Sequence, residues 1–194
     1  MHYLNEYNNG DKMLAMQQAL EQTGLTYVGY GSNALVMRDR SGGIVKIFEP
    51  DPCYRDFLRI VQTNAANPHF PRIRKLARFP KGRFFGNYLI KMESLEPLSR
   101  EEYNTADGFH CFVAATITRS PYSLNLSFVH SMEIRDQGGD VKQIARDWAL
   151  ANPEFAAALR LLAKQKRGCR DDLHRENIMK RRNTWVIIDP FAVG

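Results

Sequence analysis

Asp172, Asn177 and Asp189 are the side chains best suited to gather around a hard cation. The first two lie five positions apart in the polar stretch 169–177. Asp189 follows twelve positions later, at the end of the apolar run Trp185-Val186-Ile187-Ile188. Oxygen ligands on two adjacent segments suit Mg²⁺, which binds through one or two carboxylates and completes its sphere with water and phosphate. A carboxylate beside such a cation, here Asp172, can orient a hydroxyl and accept its proton.

A second pattern lies upstream. Val28-Gly29-Tyr30-Gly31-Ser32-Asn33-Ala34 separates two strand-like runs. Small residues there allow backbone N–H groups to approach phosphates. Lys46 then stands inside the apolar run Ile44-Val45-Lys46-Ile47-Phe48. A charge on the inner face of a strand needs a partner or a ligand.

Together these residues resemble the protein-kinase-like superfamily, which includes the protein kinases, the aminoglycoside phosphotransferases and related small-molecule kinases. The shared order is glycine-rich loop, strand lysine, helix acid, hinge, catalytic loop and metal-binding Asp. The resemblance runs from about residue 28 to 191. It implies that Gly29, Gly31, Ser32 and Asn33 cover the ATP phosphates and that Lys46 contacts them. It further implies that Asp172 is the catalytic carboxylate and that Asn177 and Asp189 hold Mg²⁺. Lys46, Asp172 and Asn177 are then the catalytic set. Asp56 is the expected helix acid beside Lys46, with Glu49 as the competitor. The backbone of Met92, Glu93 and Ser94 would bind adenine. His174 makes Asp172-Leu173-His174-x-x-Asn177, closer to the phosphotransferases than to typical protein kinases.

The chain departs from the family in three places. Arg170-Asp171-Asp172 stands for His-Arg-Asp, and Asp189-Pro190-Phe191 stands for Asp-Phe-Gly. No Ala-Pro-Glu follows before Gly194, so little length remains for an activation segment. The implied activity is transfer of the γ-phosphoryl group of ATP to a hydroxyl, a protein Ser/Thr before a small-molecule alcohol. The alternative is a pseudokinase, binding nucleotide or occupying a protein partner without turnover.

These residues need a scaffold, and the patterning supplies one. Residues 11–22 read as a helix ended by Gly24. Residues 25–30, 34–38 and 44–48 read as strands, with turn chemistry at Arg40-Ser41-Gly42-Gly43. A helix is expected over 54–65, and a strand or hairpin over 84–92. Helices are expected over 101–118, 140–151 and 153–167. Asn152 would cap the last, Pro153 would open it and Gly168 would end it. A strand is expected over 184–189. The fold class is therefore α+β and bilobal. A small antiparallel sheet forms an N-lobe over about 1–93, a hinge spans about 93–97, and a mainly helical C-lobe covers about 98–194.

Composition agrees with a globular chain. The 194 residues are 44% hydrophobic and 25% charged, with a formal charge of +6, which excludes a fibrous repeat or extended disorder. The basic stretches around Arg74, Lys164 and Arg181 come without a nucleic-acid motif or a stacking surface, which argues against nucleic acid as partner. The longest apolar stretch, 109–117, is too short to span a membrane. The polar N-terminus lacks a signal-peptide core. Cys53, Cys111 and Cys169 are far apart in the chain and are expected to be reduced thiols of a cytoplasmic protein.

Overall fold

The computed structural model describes residues 13–31, 34–78, 87–116, 126–165 and 168–193. The chain is an α+β protein with a small antiparallel sheet and several helices. It divides into two compact units: residues 1–50 with 72–94, and residues 51–71 with 95–194. The helix that follows Pro50 thus groups with the second unit.

The first unit opens with helix α1 over 13–21. Gly24 ends this turn with a φ of +87°, and a Cβ there would lie 2.6 Å from the Arg40 guanidinium. The positive φ is what calls for glycine there, since the Arg40 side chain can move aside. The strands are β1 (Thr26–Gly31), β2 (Ala34–Arg38), β3 (Ile44–Phe48), β4 (Ile73–Arg78) and β5 (Tyr88–Met92). They form one antiparallel sheet in the order β1-β2-β3-β5-β4. Asp39 builds the β2–β3 turn, accepting bonds from the Ser41 and Gly43 amides at 2.9 Å each. Strand alternation places Leu35, Met37, Val45 and Ile47 on one face, where they cluster with Met16 and Leu20 of α1. Lys46 faces the other way, paired with Val36 and Ile90.

The edge strand β4 was not expected, because Ile73-Arg74-Lys75-Leu76-Ala77-Arg78 reads as a basic run. Its exposed Arg74, Lys75 and Arg78 are what an edge strand uses to discourage pairing with other chains.

The second unit opens with α2 (Pro52–Thr63). The Asp51 carboxylate caps it by accepting the Cys53 and Tyr54 amides at 2.7 and 3.0 Å, with Pro52 in the first turn. Its apolar face buries Tyr54, Phe57, Leu58, Ile60 and Val61. Helices α3 (Arg100–Asn104), α4 (Asp107–Thr116), α5 (Leu126–Asp136), α6 (Val141–Ala151) and α7 (Pro153–Gln165) follow. The expected helix over 101–118 is thus two helices, interrupted at Thr105-Ala106. A capping box between Ser99 and Glu102 starts α3. The central helix α4 packs against α5, α6 and α7 and buries five consecutive residues, Phe109 to Val113.

Asn152 does two jobs. Its carbonyl accepts the Ala156 amide at 2.9 Å and begins α7. Its side-chain nitrogen donates to the Trp148 carbonyl at 3.0 Å and closes α6, where an N-cap side-chain acceptor was expected. Gly168 follows α7 at a φ of +69°, as a helix terminator should.

The remaining strands are short. β6 (Glu96–Pro97), β8 (Ile178–Arg181) and β9 (Thr184–Ile187) form a three-stranded sheet. β7 (Cys169–Asp171) and β10 (Phe191–Val193) form a two-stranded one.

Cys53 and Cys169 form a disulfide, which corrects the expectation of three reduced thiols. Their separation of 116 residues conceals the encounter. Helix α2 packs on β10, and β10 pairs with β7 in a register that sets Val193 opposite Cys169. The two Cα atoms then lie 5.8 Å apart, inside the span a disulfide bridges. Cys111 is the free, buried cysteine. No helix among the described residues is long and apolar enough to cross a membrane.

Candidate functional site

The segment from Cys169 to Val193 brings the C-terminal chemistry together. After β7 the chain turns through Asp172, Leu173 and His174 into a single 3₁₀ turn, Arg175–Asn177. Every step of that turn is tied down. The Asp172 amide donates to the Pro190 carbonyl at 2.9 Å, and the Ile188 amide donates to the Asn177 carbonyl at 2.9 Å. These two bonds bracket Asp189, so the loop and the end of β9 are held side by side. Within the loop, the His174 amide donates to the Asp172 carbonyl at 3.0 Å and the Asn177 amide to the His174 carbonyl at 2.9 Å. From below, the buried Tyr103 hydroxyl donates to the Leu173 carbonyl at 2.8 Å.

The side chains form a compact polar cluster. The Asn177 Nδ2 donates to the Asp172 carbonyl at 2.7 Å and to its Oδ2 at 2.9 Å. Both partners can only accept, so the nitrogen of the amide must face them and the oxygen is left as its potential ligand atom. His174 Nε2 lies 3.6 Å from Asp172 Oδ1 and 2.9 Å from Asn177 Nδ2. An amide nitrogen carries two hydrogens, and the two Asp172 oxygens use both.

Electrostatics follow the geometry. The His174 imidazole, its Nε2 3.6 Å from Oδ1, holds the Asp172 carboxyl below its ordinary value, with Asn177 assisting and partial burial opposing. Asp172 in turn raises His174 above its ordinary value, with Glu176 and Asp189 adding in the same direction. His69 and His110 behave oppositely, lowered chiefly by burial. His69 bonds the Trp185 carbonyl at 2.8 Å and stacks on Phe155, and His110 bonds the Tyr103 carbonyl at 3.0 Å. Both serve the fold.

The other expected site residues lie elsewhere. Gly29, Gly31, Lys46, Met92, Glu93 and Ser94 belong to the first unit. Gly29 adjoins a bulge in β1, and a Cβ added there meets nothing within 4 Å. Ser32 and Asn33 lie outside the described residues. The Glu93 amide donates to the Arg72 carbonyl at 3.2 Å, and its carboxylate accepts the Arg72 amide at 2.7 Å, so this stretch of the expected hinge is partly committed within its own unit. Asp56 lies in the second unit, where it pairs with Arg59 one helical turn on at 2.9 Å. Among the described residues no group of three or more His, Cys, Asp or Glu side chains is gathered for a metal. A cavity of about 520 Å³ in the second unit, lined by His69, Trp148, Phe155 and Trp185 among others, does not include the Asp172 cluster.

Tyr103 and Pro190 are the structural contributors that sequence reasoning missed. Pro190 was visible only as a departure from a motif. Tyr103 acts across 70 residues and leaves no local signal. No family model matches the chain, and no curated protein matches it.

Proposed function

We propose that this protein is an ATP- and Mg²⁺-dependent phosphotransferase acting on a hydroxyl, with a protein Ser/Thr as first choice of acceptor and a small-molecule alcohol as second. The observation that carries the reading is the pinned loop in which Asn177 and His174 hold Asp172 beside the segment bearing Asp189. The acceptor oxygen attacks the γ-phosphorus as the bond to the β-bridging oxygen breaks. Asp172 orients the hydroxyl and takes its proton, and ADP leaves. An Asp172 kept ionised by its neighbours is in the form needed to accept that proton.

One carboxylate and one amide oxygen, from Asp189 and Asn177, are donors of the type Mg²⁺ accepts alongside phosphates. Bound there, the cation would neutralise phosphate charge. Lys46 serves the same phosphates in this reading. Gly29 supports it too, since neither backbone conformation nor neighbouring atoms demand glycine there, while close approach of a phosphate does. Asp56 has a helix partner in Arg59, so the acid beside Lys46 remains a proposal shared between Asp56 and Glu49.

The test is transfer from γ-labelled ATP to mixed protein and small-alcohol acceptors. Asp172→Ala and Asp189→Ala are each expected to lower transfer by at least about 100-fold, the scale of removing one preorganised electrostatic group. Wild-type activity in Asp189→Ala would end the reading.

A second reading, a nucleotide-binding pseudokinase, draws on Pro190, which follows Asp189 where the family has Phe and whose carbonyl is bonded to the Asp172 amide. It is expected to give an ATP-dependent thermal shift with and without Mg²⁺ and no labelled product on any acceptor.

A further inference from the structure

The disulfide joins two elements that matter to the Asp172 loop. Cys53 lies in the first turn of α2, and Cys169 opens β7, three residues before Asp172. β7 and β10, its one sheet partner among the described residues, have three residues each. A two-stranded pair of that length is marginal by itself. Three anchors supplement it: the packing of α2 on β10, the Asp172 amide bonded to Pro190, and the covalent link to α2. The link is the one of the three that chemistry can remove without changing the sequence. Cys53 and Cys169 are 4% and 6% exposed, so a small opening of β7 and β10 admits a reductant. Cys111 is fully buried, and that burial raises its thiol above the ordinary value, so it does not compete in exchange.

We propose that Cys53 and Cys169 are a redox switch in which the disulfide form holds the Asp172 loop in its competent arrangement and the dithiol form releases it. The co-reactant is a dithiol. One of its thiolates attacks a cysteine sulfur, the S–S bond breaks, and a mixed disulfide forms. The other cysteine leaves as a thiolate and takes up a proton, and the second thiol of the reductant then displaces the attacked cysteine from the mixed disulfide. Two electrons and two protons pass to the protein, yielding two cysteine thiols and one oxidised dithiol. That the switch governs phosphotransfer rests on the function proposed above; that it governs the loop does not.

The experiment is hydrogen exchange on the full chain, oxidised and dithiothreitol-reduced, with thiol counting to confirm one and three thiols per chain. Reduction is expected to speed exchange on the order of 10-fold or more at the Asp172 amide and in 169–171 and 191–193, leaving the β2–β3–β5 ladder unchanged. The Cys53→Ser, Cys169→Ser double variant should match the reduced protein. Reoxidation should restore the slow rates. Equal exchange in both forms would overturn the proposal. So would uniform acceleration across both units, which would make the bond a plain structural staple, and so would three thiols in protein purified without reductant. Labelled-ATP transfer measured on the same samples separates the two readings. A loop that loosens in a protein without transfer activity in either form keeps the switch and removes the phosphotransferase.

Discussion

The five-stranded sheet and the segment 168–193 hold their key residues by different physics. In the sheet, five strands of five or six residues pair in an unbroken antiparallel order, and alternation sends Leu35, Met37, Val45 and Ile47 to one apolar face. Lys46 is positioned because its neighbours at 45 and 47 are buried. In 168–193 the strands have three or four residues. Asp172 is positioned instead by the Pro190 carbonyl, the Asn177 amide and a disulfide three residues away. Burial is non-directional and tolerant, while hydrogen bonds set both distance and angle. The first arrangement builds stability. The second aims a carboxylate, and it can be altered with little loss of the whole.

The contrast predicts that stability and activity separate by region. Asp172→Asn is expected to cut phosphotransfer by about 100-fold or more while moving the unfolding free energy by no more than about 1 kcal/mol, because the pair with His174 is substantially exposed. Ile47→Ala should do the reverse. A loss of about 2–5 kcal/mol is expected from the transfer and cavity terms, with the activity of the remaining folded protein intact. Chemical denaturation alongside labelled-ATP assays checks both. If Asp172→Asn is as destabilising as Ile47→Ala, the two regions are not distinct.

Next in size is Tyr103→Phe. It removes the donor to the Leu173 carbonyl and leaves that acceptor buried, at about 1–3 kcal/mol. Activity is expected to fall further than the folded fraction does, because the loop under Asp172 loses its support.

Histidine titration sharpens the comparison. Ring proton shifts followed by NMR are expected to place His174 above its ordinary 6.5 and both His69 and His110 below it. The signs differ accordingly. His174 contributes stability below 6.5 that is lost as pH rises through its folded value. Asp172 contributes above 3.8, and that is lost as pH falls through its own depressed value. The pair is therefore strongest between 3.8 and 6.5. The buried His69 and His110 disfavour folding as pH falls below 6.5. In Asp172→Asn the His174 midpoint should drop, with the other two unmoved.

The smallest effect on stability is expected at Gly29→Ala. With nothing within 4 Å of the added Cβ and no positive φ, the unfolding free energy should change by under about 1 kcal/mol, while ATP binding measured by calorimetry weakens. Unchanged binding would detach Gly29 from the nucleotide.

Chain order alone made much of this legible. Strands β1, β2 and β3, helices α2, α6 and α7, and Gly24 and Gly168 as helix terminators followed from periodicity and local turn chemistry, since those signals act over a few residues. The placement of Asp172 and Asn177 in one polar loop was legible for the same reason. Folding alone decided the rest. The basic run 73–78 became an edge strand through its pairing with Tyr88–Met92. Tyr103 reached Leu173 across 70 residues. Cys53 met Cys169 across 116. Such contacts depend on how helices and short sheets pack together, and spacing along a chain carries no information about distances that packing creates.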